Sequence, residues 1–217
     1  MTLSEENYLK AIYHLSILSD SGVTTNAIAE KIETKASSVT DMLKKLAEKD
    51  FIWYRKYQGV LLTEKGLHFA KMIVRKHRLW EVFLVDKLHF PWDEVHDIAE
   101  QLEHIKSEKL INKLDEFLSF PTEDPHGDPI PDANGRIKKV DKKLLSELQT
   151  DQPAICVGVK DTSSEFLQYL DKNGISLGAA IEIIEKENFD LSLRIKVNGK
   201  ELPVSNKIAG NIFVKVL

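Results

Sequence analysis

Two short segments place histidine and glutamate where a helix would turn them to one side. In HRLWEVF, His77 and Glu81 are four residues apart, and in EVHDIAEQLEH the residues His96, Glu100, Glu103 and His104 follow the same kind of spacing. Positions three and four apart are neighbours on a helix surface. At about 100° per residue the second set falls within roughly a quarter turn, with Ile98, Leu102 and Ile105 on the opposite side. Carboxylates and imidazoles converging from one side suit a divalent transition metal. The competing account is a solvated acidic face with incidental histidines. Five of the seven histidines, His77, His89, His96, His104 and His126, fall between positions 77 and 126, which favours the metal. His89, between Leu88 and Phe90, is read as structural, as are His14 and His68 within helical stretches.

A second constellation lies upstream. Lys35, Ser37, Ser38, Thr40 and Asp41 open a helix that follows a shorter one across a tight turn, the order of a helix-turn-helix. Such a helix enters the major groove with its N-terminal residues toward the bases. Short hydroxyls there can meet base edges and phosphates without filling the groove. Lys44 and Lys45, one turn later, and Arg55 and Lys56 at the tip of a following hairpin, with Tyr57 beside them, are placed for the DNA backbone or minor groove. The competing account is a helical bundle whose polar face meets only water.

Periodicity supplies the elements that must hold these residues. Leu3, Tyr8, Leu9, Ile12, Tyr13 and Leu15 mark a first helix that ends at Asp20-Ser21-Gly22. Thr24 or Thr25 caps a second over 26–32, and Val39, Met42, Leu43 and Leu46 line a third that runs to Lys49. Two β-like runs, 51–55 and 60–62, flank Lys56-Tyr57-Gln58-Gly59, and Thr63 caps a long helix. Three helices and a hairpin make a winged helix. Residues 76–120 stay helical apart from a break at Pro91-Trp92-Asp93, and the prolines and glycines of 121–135 make that segment a loop. A basic, weakly amphipathic stretch leads to Gln149. From Pro153 the period changes to strands at 154–159, 180–185, 191–197, 201–204 and 212–216, with Asn198-Gly199 as a hairpin turn. Short strands at this density suit a small SH3-like barrel. The expected fold is therefore mainly α with β. A winged helix-turn-helix spans 1–72, a helical domain 73–140 and an SH3-like β-barrel 150–217.

Composition sets the class. The net charge of −4 is unevenly spread: +2 over residues 1–75, −5 over 76–150 and −1 over 151–217. The basic third is the one that would face DNA, and the acidic middle must face elsewhere or hold cations. The single cysteine, Cys156, excludes an intrachain disulfide framework and a thiolate-rich zinc site. No apolar run approaches the roughly 20 residues that span a bilayer. The opening MTLSEENYLKAIYHL lacks the charge and apolar core of a signal peptide, so a cytoplasmic protein is expected.

The segments EENYLKAIYHL, ASSVTDMLKKLAEKDFI, GVLLTEKG, KHRLWEVFLV, EVHDIAEQLEH and DPHGDPIP, in that order, resemble the diphtheria-toxin-repressor family of metal-dependent transcriptional regulators, including its manganese-regulator branch. The resemblance covers nearly the whole chain. It implies a homodimer on a palindromic double-stranded operator, with Mn²⁺ or Fe²⁺ as corepressor for metal-uptake genes, and no catalytic role. By position it implies one metal site at Glu100, Glu103 and His104 with Asn7. It implies a second at His77, Glu81 and His126, with His96, Asp124 or a C-terminal carboxylate, Asp161 or Glu165. Asn7 stands where relatives carry aspartate or methionine, and Lys10 where the manganese branch has glutamate. Glu100 and Asp124 stand where other members have cysteine. Oxygen and nitrogen without sulfur suit Mn²⁺ or Fe²⁺ better than Zn²⁺ or Cu⁺. Three rivals remain open at this point. They are a metal-independent winged-helix repressor that senses a small ligand, a metallohydrolase built on the His/Glu set, and a C-terminal domain that engages a peptide.

Overall fold

The structure, a computed structural model, describes residues 1–17, 22–55, 59–138, 140–150 and 152–217. It divides into two compact units interleaved in sequence. The first comprises Met1–His77, Glu100–Lys113 and Pro131–Ile137; the second comprises Arg78–Ala99, Leu114–Ile130 and Lys138–Leu217.

The first unit opens with helix α1 (Leu3–Ile17). Thr2 Oγ1 accepts the Glu5 amide hydrogen at 3.3 Å while the Glu5 carboxylate accepts that of Thr2 at 3.1 Å, a reciprocal capping box. Helix α2 (Thr25–Lys31) starts at Thr24, whose side chain accepts from Ala27 N at 3.1 Å. Helix α3 (Ala36–Glu48) buries Val39, Leu43 and Leu46. Strands β1 (Ile52–Arg55) and β2 (Gly59–Leu62) pair antiparallel with Ile52 opposite Leu62. Val23 and Val60 exchange two backbone hydrogen bonds, which ties the segment before α2 to the hairpin. Helix α4 (Glu64–Leu88) is capped by Thr63 Oγ1, which accepts from Gly66 N at 3.0 Å. Gly66 has no room for a side chain: a β-carbon there would lie 1.8 Å from the Phe51 carbonyl oxygen. Leu9, Ile12, Ile28, Leu43, Leu46 and Ile73 are fully buried in the shared core. This is a winged helix.

The second unit holds the C-terminal part of α4, which ends at His89 in the left-handed region (φ 58°). It also holds the start of helix α5 (Val95–Leu102), and Leu84, Val95 and Ala99 form a small core with Trp80 and Phe90. Helix α6 (Glu108–Phe117) runs through both units. Strands β3 (Lys143–Leu144), β4 (Ala154–Val159), β5 (Ala180–Lys186), β6 (Leu193–Val197), β7 (Lys200–Val204) and β8 (Ile212–Val216) form one antiparallel sheet. Its order is β3-β8-β4-β5-β6-β7. Asn198 and Gly199 take positive φ (47° and 90°) in the β6–β7 hairpin, as two-residue turns of this type require. Helix α7 (Ser164–Lys172), which strand periodicity gave no reason to expect, buries Phe166, Leu167 and Leu170 against the sheet. Among the described residues no helix is long and apolar enough to cross a membrane.

Candidate metal centre and nucleic-acid face

In the second unit, the buried residues Glu81, Asp124 and His126 bring one ligand atom each within 4.8 Å of the others. Helix α4 supplies Glu81, and the Pro-rich loop supplies the other two. That loop is shaped by Asp124, whose Oδ1 accepts from the backbone N–H of His126 (2.8 Å) and Asp128 (3.0 Å). Sheet strand β4 pins it from another side, where Val159 N donates to the His126 carbonyl at 2.9 Å. Gly127 (φ 80°) allows the approach, since a β-carbon there would lie 2.1 Å from the Val157 carbonyl oxygen.

The imidazole orientation decides what the site can hold. His126 Nε2 lies 2.9 Å from the Trp92 carbonyl oxygen. A carbonyl only accepts, so Nε2 carries the hydrogen and, in the neutral ring, Nδ1 presents its lone pair. Nδ1 faces Glu81 Oε2 at 3.8 Å and Asp124 Oδ1 at 3.9 Å. Those gaps are too long for hydrogen bonds. Ligands each about 2.0–2.2 Å from a shared ion are separated by gaps of this size. Burial, and then the negative charges of Glu81 and Asp128, push the Asp124 carboxyl well above its usual range despite Arg78 Nε at 3.4 Å. Arg78 also bonds Asp128 (3.1 Å) and the Pro129 carbonyl. A cation would relieve this crowding. The residues fit a divalent ion. His96 is exposed, with Nδ1 3.3 Å from Glu81 Oε1. Asp161 and Glu165 join no potential ligand group among the described residues. The Asp161 carboxylate accepts from Ser163 N, and bonding to Ser163 holds it below the usual range.

The first unit gathers a second cluster. His77, one turn before Glu81 on α4, lies with Nδ1 2.7 Å from Glu103 Oε2. His104 Nδ1 is 2.6 Å from Glu6 Oε2. Since a carboxylate accepts, each Nδ1 carries a hydrogen, and in the neutral His104 ring Nε2 is the nitrogen that could meet a metal. Glu103 is fully buried, and its Oε1 has no hydrogen-bond partner among the described residues. An orphaned buried carboxylate oxygen is costly without a cation. Lys10 Nζ lies 2.8 Å from both Glu100 Oε1 and Glu103 Oε2. Asn7, which the resemblance places in this site, is exposed instead, and Glu6 stands beside His104.

On the winged helix, Lys35 at the N-cap of α3 and Ser37, Ser38, Asp41, Lys44 and Lys45 along it are exposed, and Arg55 is exposed at the end of β1. Lys44 pairs with Asp41 at 3.3 Å. Thr40 is half-buried and donates its hydroxyl hydrogen to the Ala36 carbonyl, so it offers less than its neighbours. Lys56 and Tyr57 lie outside the described residues.

Family models place these features. The iron dependent repressor N-terminal DNA binding domain matches residues 1–60, and the iron dependent repressor metal binding and dimerisation domain matches residues 63–132. A FeoA domain matches residues 143–216. The HTH-type transcriptional regulator MntR of Oceanobacillus iheyensis is 32% identical over 146 residues, covering 67% of this chain and 91% of that relative. This chain belongs to the iron-dependent repressor family. Other members of the family are similar over a shorter span. The iron-dependent repressor IdeR of Mycobacterium tuberculosis is 37% identical over 128 residues, 58% of this chain and 54% of that protein. The chain thus spans about half the length of the mycobacterial relatives it matches. A solved structure titled as a manganese-dependent transcriptional repressor in complex with manganese superposes with TM-score 0.87 at 33% identity, covering 98% of this chain and 100% of that one. ScaR with bound Cd²⁺ gives TM-score 0.77 at 34% identity, covering 98% and 99%. Within this chain, the residues that sequence reasoning missed are Glu6, Arg78 and Trp92. None belongs to a histidine-rich spacing pattern, and each acts through a neighbour's ring or carboxylate.

Proposed function

We propose that this chain is a transcriptional repressor that binds a palindromic operator as a homodimer, with Mn²⁺ or Fe²⁺ as corepressor for metal-uptake genes. In this reading it works in the cytoplasm and the ions have no catalytic role. Its parts are a DNA-binding domain over 1–72, a dimerisation and metal-binding domain over 73–140, and an SH3-like domain over 150–217. The observation that carries the reading is the His126 Nδ1 lone pair facing two buried carboxylates across gaps of 3.8 and 3.9 Å. Glu81, Asp124 and His126 hold one ion, with His96 beside Glu81. Glu103 and His104, oriented by Glu6 and accompanied by Glu100, hold another. Nitrogen and oxygen donors without thiolate favour Mn²⁺ or Fe²⁺.

The ion supplies positive charge that joins carboxylates otherwise repelling one another. The protein does the rest. Lys35, Ser37, Ser38 and, through its remaining lone pairs, Thr40 read the groove, while Lys44, Arg55 and Lys56 meet phosphate. A two-fold dimer must space its recognition helices about one helical turn of DNA apart, or a multiple of that. An ion favours DNA binding by the difference in its affinity for the matched and unmatched arrangements, commonly about 5–150-fold. Electrophoretic mobility shift with operator DNA, in Mn²⁺ and in chelator, tests this. Binding of equal strength in both ends the proposal.

A second reading has one observation in its favour. The first unit contains a cavity of about 460 Å³ whose walls mix Phe69, Met72 and Ile111 with Arg75, Lys76 and Lys106. A repressor sensing a small amphipathic anion would use such a cavity and no ion. Calorimetry separates the two: Glu103→Ala and His104→Ala lose metal binding only if the ion reading is right.

A further inference from the structure

The cluster formed by α1, the end of α5 and the turn after it already contains a cation. Lys10 Nζ is 2.8 Å from Glu100 Oε1 and 2.8 Å from Glu103 Oε2, and Lys10 is 9% exposed while Glu103 is fully buried. Glu103 Oε2 also accepts from His77 Nδ1 at 2.7 Å, so that oxygen already has two donors, one of them a full positive charge. A divalent ion on it would have to sit about 2.2 Å away, within the space and the charge of the ammonium. Like charges this close, out of water, exclude each other.

We infer that the Lys10 ammonium is a tethered cation that takes the place of one divalent ion between Glu100 and Glu103. It divides the cluster. The Oε2 side of Glu103 is neutralised by the chain itself, and the Oε1 side, buried and without a hydrogen-bond partner among the described residues, is left for an exchangeable ion. Lys10 is therefore a residue that sets ion count. It also joins α1 to Glu100 and Glu103 whatever the free metal concentration, because the cation cannot dissociate. A fixed single charge here makes the α1 attachment partly independent of metal, and the sensing falls to the Oε1 side and to Glu81, Asp124 and His126. This deepens the reading of the chain as an ion-responsive repressor and rests on it.

The test counts ions on the full chain without DNA. Wild type, Lys10→Gln and Lys10→Arg are stripped with chelator, saturated with Mn²⁺ and measured by native mass spectrometry, with thermal melts in chelator and in Mn²⁺. Lys10→Gln is expected to bind one Mn²⁺ more per chain than wild type, to melt lower than wild type in chelator, and to regain the loss in Mn²⁺. Lys10→Arg is expected to keep the wild-type count. An unchanged count in Lys10→Gln, an extra ion in Lys10→Arg, or a Lys10→Gln chain that stays unfolded in saturating Mn²⁺ would each overturn the inference. A wild-type chain that binds no Mn²⁺ while Lys10→Gln binds one would instead sink the repressor reading and leave the role of Lys10 standing.

Discussion

Trp92 fixes the tautomer of His126. Its carbonyl oxygen takes the Nε2 hydrogen at 2.9 Å, and the indole and imidazole planes stack 6.0 Å apart at 11°. The backbone carbonyl thus acts as the outer partner that turns a ring nitrogen toward a metal. Trp92 is held in turn, because its Nε1 donates to Asp171 Oδ2 at 2.9 Å on α7.

Substituting Asp124 separates ion binding from folding. In Asp124→Asn the amide oxygen can still accept from the His126 and Asp128 amides, and the repulsion from Glu81 and Asp128 is gone. Metal-free stability should change by less than about 1 kcal/mol, since lost pairing with Arg78 and lost repulsion oppose each other. A ligand at 100 times its Kd adds about 2.7 kcal/mol, and the variant should show less than half the Mn²⁺-induced rise in Tm. Differential scanning calorimetry with and without Mn²⁺ reads both, and a full rise would remove Asp124 from the ligand set.

Gly127→Ala should damage fold and site together. A β-carbon 2.1 Å from the Val157 carbonyl forces the loop off β4, and the backbone is already in the left-handed region (φ 80°). A loss of about 2–4 kcal/mol in urea unfolding is expected from strain of this kind, with weaker Mn²⁺ binding. Gly174, also at positive φ but with nothing within 4 Å, serves as the control for backbone strain alone.

On DNA, the exposed cations and the exposed hydroxyls should behave differently. Lys44→Ala and Arg55→Ala should each weaken operator and non-operator binding alike and lower the slope of log K against log salt by about 1. Ser38→Ala should change the preference among operator sequences more than the salt slope. Fluorescence anisotropy over a salt series distinguishes them. An unchanged slope in both lysine and arginine variants would take these residues off the phosphate backbone.

Acid should remove the tie between the N-terminal helix and Lys49. The Lys49 ammonium, 2.6 Å from Glu5 Oε1, and the Thr2 amide hold the Glu5 carboxyl below its ordinary value of 4.5. A depressed folded-state pKa contributes stability that is present above the unfolded value and lost as pH falls through the folded one. Lys49→Ala should therefore lower stability at neutral pH, lose that deficit as pH falls through the folded-state value, and raise the pH midpoint of acid unfolding, followed by circular dichroism. Coincident acid transitions would show that the pair contributes nothing measurable, as exposed pairs often do.

Much of the architecture could be read from pattern alone. Thr24 and Thr63 cap the helices they precede and the Asn198-Gly199 turn forms, whereas α5 stops at Leu102, so Glu103 and His104 lie in the turn beyond the helix that their spacing predicts. Helix α1 resisted such reading for a physical reason. It buries Glu5, Glu6, Tyr8, Leu9, Lys10, Ala11, Ile12 and Tyr13, so apolar periodicity gives it no clear phase. Without a phase, nothing local shows that Glu6 and Lys10, and not Asn7, turn toward Glu103 and His104. Helix α7 was hidden because its nine residues lie among strands and carry only one short apolar face. The ligand atom of His126 was illegible in any pattern, since a main-chain oxygen 34 positions away decides it.

The stack of Trp92 on His126 also gives the protein a built-in optical gauge. An indole parallel to an imidazole feels any change in that ring's charge or electron density. Capture of Nδ1 by an ion would be felt at Trp92. Emission from a chain stripped of its other two tryptophans would thus follow the loop directly, with no label attached.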